Sequence, residues 1–141
     1  MFAGVFFAAA AALGGADGPP PGDPEQVVQA YYAAIDRKDY ATAYRLWDHE
    51  GTASGKSLAG FSKGFAQTAH SRVTTATPVE GDAGMSQRWV EVPVDVHATL
   101  SNGKRQHFRG RYTLHRVVEG VGASRASERW HIASATLKPV R

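Results

Sequence analysis

The chain has 141 residues, 16 basic and 13 acidic side chains and a net charge of +3, with 43% hydrophobic and 21% charged residues. That is the size and composition of one domain around one core, with no room for a second. The charge excess is too small for a basic tail or patch that would mark a nucleic-acid binder. The absence of cysteine excludes a disulfide framework, a thiol nucleophile, a lipid-modified cysteine and cysteine-based zinc sites.

Residues 1–16 read as a secretory signal. The uncharged run from Phe2 to Leu13 is short for a bilayer span of about twenty residues but suits a signal's apolar region. Gly14-Gly15-Ala16 supplies small residues for cleavage before Asp17, with Ala10-Ala11-Ala12 as second choice. No Lys or Arg occurs before Arg37, so the basic start of a signal is missing, and a buried N-terminal helix is the competing reading. The signal reading implies a periplasmic or secreted protein with no membrane anchor once cleaved. Residues 17–23 are a Gly/Pro-rich spacer, a composition that holds neither helix nor strand.

The domain is expected over 24–141. Asp23-Pro24-Glu25-Gln26 has a cap, a first-turn proline and a capping-box spacing, and Val27, Val28, Tyr31, Tyr32 and Ile35 then form one apolar face of a first helix. Asp39 caps a second helix with Tyr40, Ala43, Tyr44 and Trp47 inside, and Ser57 a third with Leu58, Phe61 and Phe65 inside. After Ser71 the period changes to two. Residues Arg72 to Glu80, Met85 to Leu100, Lys104 to Glu119 and Glu128 to Pro139 read as four strands, the first two joined by Gly81 to Gly84 and the next by Ser101-Asn102-Gly103.

The central hairpin can be set in register from side-chain chemistry. Val90, Val92, Val94 and Val96 alternate with Trp89, Glu91, Pro93, Asp95 and His97, so the even positions face the core. A two-residue Asn102-Gly103 turn would oppose Val96 to Arg109 and Val94 to Arg111, burying two arginines. A three-residue loop with Gly103 left-handed opposes Val96 to Phe108, Val92 to Tyr112 and Asp95 to Arg109, and is preferred.

The aromatic pair Tyr31-Tyr32, the run from Asp39 to Tyr44, Leu58-Ala59-Gly60-Phe61 and the closing Arg129 to Ser134 resemble the nuclear transport factor two-like superfamily, which includes SnoaL-like cyclases and ketosteroid isomerase. The resemblance spans about Pro24 to Lys138 and rests on packing patterns, none of them a catalytic signature. It implies an α+β fold: three N-terminal helices packed on a curved four-stranded antiparallel sheet, a cone with an internal cavity. Reaction does not follow from fold.

The expected concave face carries Val90, Val92, Val94, Val96, Phe108, Gly110, Tyr112, Leu114, Ile132 and Ser134, with no carboxylate or imidazole. An exported non-catalytic module is therefore expected, one that binds a small apolar ligand or serves as a structural unit of the envelope. Its ligand-binding residues would be Tyr31, Tyr32, Tyr44, Trp47, Val92, Val94, Phe108 and Tyr112. The alternative is an isomerase-, dehydratase- or cyclase-like enzyme. A bulge at Pro93, which cannot donate to a ladder, would turn Asp95 and His97 into the cavity as acid/base groups; a pocket tyrosine is the other candidate. The six histidines, His49, His70, His97, His107, His115 and His131, show no short metal-binding spacing, so no metal or cofactor is expected. Fold analogy makes the outer sheet face around Trp89 a surface for homodimer formation.

Overall fold

The computed structural model describes residues 22–120 and 124–141; the signal and most of the spacer lie outside them. Three helices, α1 (Pro24–Asp36), α2 (Tyr40–Arg45) and α3 (Leu58–Gly64), precede the strands β1 (Thr68–Thr75), β2 (Val79–Ala83), β3 (Gln87–Leu100), β4 (Arg105–Val117) and β5 (His131–Pro139). The expected caps form. Gln26 Oε1 accepts from the Asp23 N–H at 3.3 Å, Asp39 Oδ1 from Thr42 at 3.2 Å and Ser57 Oγ from Gly60 at 3.1 Å. None of the described helices is long and apolar enough to cross a membrane.

The sheet is curved, unclosed and antiparallel, in the order β1-β3-β4-β5, with β2 also on β3. It thus has five strands, and the segment read from sequence as one strand over Arg72 to Glu80 is two. The cause is on the neighbouring strand. Pro93 accepts from the Ala76 N–H at 3.0 Å through its carbonyl but has no N–H to return. Pairing therefore stops at Thr75↔Val94 and resumes at Val79↔Glu91. Gly81 to Ala83, expected in a loop, continue β2.

The hairpin register is that of the three-residue loop: Val96↔Phe108, Val92↔Tyr112 and Asp95↔Arg109 are partners. Gly103 sits at φ 88°, the left-handed region that a residue without a Cβ enters freely. Pairing runs without a shift from Gln87↔Val117 to Thr99↔Arg105, so there is no bulge at Pro93 between β3 and β4. On β4, Gly110 is required by close approach, since a Cβ there would lie 1.8 Å from the Thr136 carbonyl oxygen.

Register shifts occur instead between Thr68 and His70 on β1, between Glu80 and Ala83 on β2, and between β4 and β5, where Thr113 pairs with Ser134 but Leu114 with Ile132, leaving Ala133 as the extra residue. Facing changes across this last shift. Ile132 is buried in the core, while Ser134, expected on the concave side, shares the outer face with Thr113 and is exposed.

The core lies between the helices and the concave face, with Val27, Val28 and Ile35 of α1 against Val92, Leu114 and Ile132. Tyr31 is the aromatic centre, its ring centroid 5.9 Å from that of Tyr112 and 6.2 Å from those of Trp47 and Phe61. Two sequence expectations are corrected. Trp47 lies beyond the end of α2, where its backbone bridges in parallel to Ile132, and Leu58 at the start of α3 is exposed.

Candidate functional site

The concave face is filled along most of its length, but the fill stops near the β3–β4 turn. The cross-strand row Val73–Val96–Phe108 presents three apolar side chains, whereas the next row, Ser71–Ala98–Gln106, presents a hydroxyl, a methyl and an amide. Beneath it lies a cavity of about 260 Å³ lined by Tyr32, Phe65, Val96, Phe108, Tyr112 and Leu137 and by the residues of that second row.

Two phenols supply most of its polarity. The Tyr32 and Tyr112 hydroxyls are 2.5 Å apart, so one donates to the other and the accepting hydroxyl keeps its own proton to offer. Burial pushes the Tyr32 phenol up to about 12, although its bond to Tyr112 opposes the shift. Burial also holds Tyr112 well above the ordinary tyrosine value, with the neighbouring Tyr32 and Tyr31 phenols adding to it. Both stay neutral at ordinary pH and act as hydrogen-bond donors; neither is a phenolate base. Ser71 also lines the cavity, but its Oγ is buried and has no hydrogen-bond partner among the described residues.

Of the ligand-binding residues expected from sequence, Tyr32, Phe108 and Tyr112 line this cavity. The others are brought together as the packed core that closes it off. Tyr31 and Trp47 pack on Tyr112, Val92 and Val94 are buried, and the Tyr44 hydroxyl donates to the Lys56 carbonyl at 2.6 Å. The Tyr31 phenol is also pushed up by burial, partly offset by the Trp47 indole N–H, which lies outside hydrogen-bond geometry.

Sequence reasoning missed Phe65, Thr68, Ser71, Ala98, Gln106 and Leu137. Leu137 was hidden by the Ala133 bulge, which reverses the alternation of β5. Phe65 carried a signal, since it was read on the inner side of α3, but Ser71, Thr68 and Gln106 are polar residues that no apolar periodicity selects.

Asp95 and His97 lie on the outer, convex face. Asp95 Oδ1 accepts from His107 Nε2 at 2.7 Å and from Arg109 Nε at 3.0 Å, and the His97 ring stacks on His107 with centroids 4.1 Å apart. The His107 hydrogen bond, and with it the Arg109 guanidinium, holds the Asp95 carboxyl below the usual carboxylate range. The enzyme alternative resting on these two residues is thereby corrected: with no bulge at Pro93, neither reaches the cavity.

A second histidine–carboxylate pair went unread. His115 Nδ1 donates to Asp48 Oδ2 at 2.7 Å and its Nε2 meets the Gln87 side chain, with the Trp89 ring 4.3 Å away. Gln87 satisfies either ring state, through its NH₂ when the imidazole is neutral and its carbonyl when protonated. These residues are remote from the cavity and link the segment after α2 to the sheet. Among the described residues, no group of three or more His, Asp or Glu is placed to hold a metal ion.

With this geometry in view, the chain has the nuclear transport factor two-like fold. Solved structures share it at low identity. A candidate aromatic ring hydroxylase of Novosphingobium aromaticivorans superposes with a TM-score of 0.59 at 15% identity, over 83% of this chain and 86% of that one. A candidate scytalone dehydratase from the same organism gives 0.56 at 10% identity, over 83% and 81%. ActVI-ORFA of Streptomyces coelicolor gives 0.50 at 12%, over 82% and 90%. No family model and no curated protein matches the sequence. The likeness establishes the fold alone.

Proposed function

We propose that this domain is a binding module which takes a small apolar molecule into the cavity at the β3–β4 end of the cone and holds one oxygen of it with the Tyr32–Tyr112 hydroxyl pair. The observation that carries this reading is the cavity's lining: apolar side chains, two neutral phenols and an unpartnered serine, with no carboxylate or imidazole. Burial of apolar area at roughly 25 cal/mol per Å² needs no acid or base, and at about 260 Å³ the cavity suits a short chain or a single ring. Titration with an apolar fluorescent probe, with and without Phe108→Ala and Tyr32→Phe, tests it. Binding weakened by both substitutions supports the reading; no binding, or binding indifferent to both, ends it.

The Phe2 to Leu13 run supports a further part of the proposal, that the domain works after export to the periplasm or medium. Secreted protein should then have lost about sixteen residues by intact mass, and full-length protein in the cytosol would count against it.

A second reading, an isomerase- or dehydratase-like catalyst, draws on one observation, the short Tyr32–Tyr112 contact, which could polarise a carbonyl. Proton abstraction also needs a base within about 3 Å of the proton, and the cavity lining supplies none. Turnover in a substrate screen that is abolished by Tyr112→Phe would favour the catalyst over the binder.

A further inference from the structure

The convex face carries a cluster that the cavity does not use. The alternation that turns Ser71, Ala98 and Gln106 towards the cavity turns their neighbours outward. Two cross-strand rows result, His70–Thr99–Arg105 and Arg72–His97–His107, which bring cations from three adjacent strands to one corner of the sheet. An open cleft of about 580 Å³ lies over them, with His70, Arg72, His97, Thr99 and Arg105 in its lining. The sheet backbone is the wall between this cleft and the cavity, so the two are separate sites.

Charge in the cleft is not balanced internally. Further along the same face Arg109 meets Asp95 at 3.0 Å and Arg111 meets Glu91 at 3.4 Å, whereas Arg72 and Arg105 form no ion pair among the described residues. The one carboxylate lining the cleft, Asp36, is engaged: its Oδ1 accepts from the Ser71 N–H at 2.9 Å and lies 3.4 Å from His70 Nδ1. The His97 ring stacks on His107 with centroids 4.1 Å apart, and neither of its nitrogens is hydrogen-bonded among the described residues.

We propose that this convex cleft binds a phosphate group between the Arg72 and Arg105 guanidiniums, with the Thr99 hydroxyl and the His97 ring as further donors. A tetrahedral dianion takes donors from several directions and two positive charges at once. Guanidinium groups supply both, each through a planar fork of N–H groups, and a hydroxyl and an imidazole N–H serve the oxygens left over. A carboxylate carries one charge on two oxygens, and a single arginine satisfies it. The site stands or falls independently of the apolar cavity.

Isothermal titration of the full chain with inorganic phosphate, glycerol 3-phosphate and acetate, at neutral pH and low, constant ionic strength, tests this. The wild type should bind phosphate about tenfold more tightly than acetate, the scale of one charge-assisted contact. Arg72→Gln and Arg105→Gln, both on exposed side chains, should each weaken phosphate about tenfold. Arg111→Gln removes the same charge from the same face but outside the cleft, and should leave phosphate binding unchanged. Tighter binding of glycerol 3-phosphate than of inorganic phosphate identifies an ester as the ligand, and equal or weaker binding the free ion; both support the site. Acetate bound as tightly as phosphate, three substitutions with the same effect, or no phosphate binding at all overturns it.

Discussion

The two ends of the sheet are built on opposite plans. At the end where β4 finishes, the chain after α2 lies along β5: the Asp48 N–H donates to the Ile132 carbonyl at 2.7 Å and the Ile132 N–H to that of Leu46 at 2.8 Å. Trp47 is thereby driven into the core, Asp48 is tied to His115, and the Arg116 guanidinium stands 5.2 Å over the Trp130 ring. At the β3–β4 turn the row Ser71–Ala98–Gln106 carries nothing bulky and the helices do not fill the gap, which leaves the cavity. Stability is concentrated where the sheet is closed and binding capacity where it is hollow, a division expected when a site must forgo packing that the fold would otherwise use.

That contrast breaks first at Trp47. Trp47→Ala removes a buried indole that packs on Tyr31 and Tyr112, and a loss of about 3–5 kcal/mol in denaturant unfolding is expected. A loss below about 1 kcal/mol would mean that the closed end is not the stable one.

The next effect is alkaline. Tyr32 titrates at about 12 when folded and near 10 when unfolded. The neutral phenol's contribution is therefore complete below pH 10 and is lost as pH rises towards 12, because the unfolded chain gives up its proton first. Tyr32 alone should account for about 2 kcal/mol of the stability lost across that window, with the raised Tyr31 and Tyr112 phenols adding to the total, so the loss should be shallower in Tyr32→Phe. An unchanged slope in that variant would show that the phenol pair is not buried as described.

Asp48→Ala should cost about 1–2 kcal/mol, since it leaves a half-buried His115 nitrogen without its carboxylate. Ala98→Val changes stability by less than about 1 kcal/mol, because the added methyls enter a space already empty, yet it should abolish probe binding. Binding that survives this filling would place the ligand elsewhere.

How much of this was legible in the sequence follows the range over which each cause acts. Valine alternation and the Ser101-Asn102-Gly103 loop fixed the β3–β4 register because facing and turn geometry are local. The break between β1 and β2 was not legible from its own residues: its cause is the proline that lies across from it on β3. The Ala133 bulge likewise reversed the facing of Ser134 and Leu137 with no Gly or Pro to announce it. The Asp48–His115 pair joins residues 67 apart in sequence, beyond any spacing rule. The cavity was the hardest to see, since a hollow is defined by what small side chains fail to fill.

The smallest effect is expected on the convex face, at Asp95, and it sharpens the division most. Asp95 holds His107 and Arg109 and its carboxyl titrates below the usual range, first because of the His107 hydrogen bond. Whatever stability this gives is present above the ordinary carboxylate value and lost as pH falls through the depressed one. The group is solvent-exposed, so screening leaves little of it. Asp95→Asn and His97→Ala should therefore unfold with the wild type at neutral pH and bind an apolar probe unchanged, because neither residue touches the cavity. An apolar probe lost in either variant would mean that the convex face and the cavity are one site, and the separation of stability from binding along this sheet would have to be redrawn.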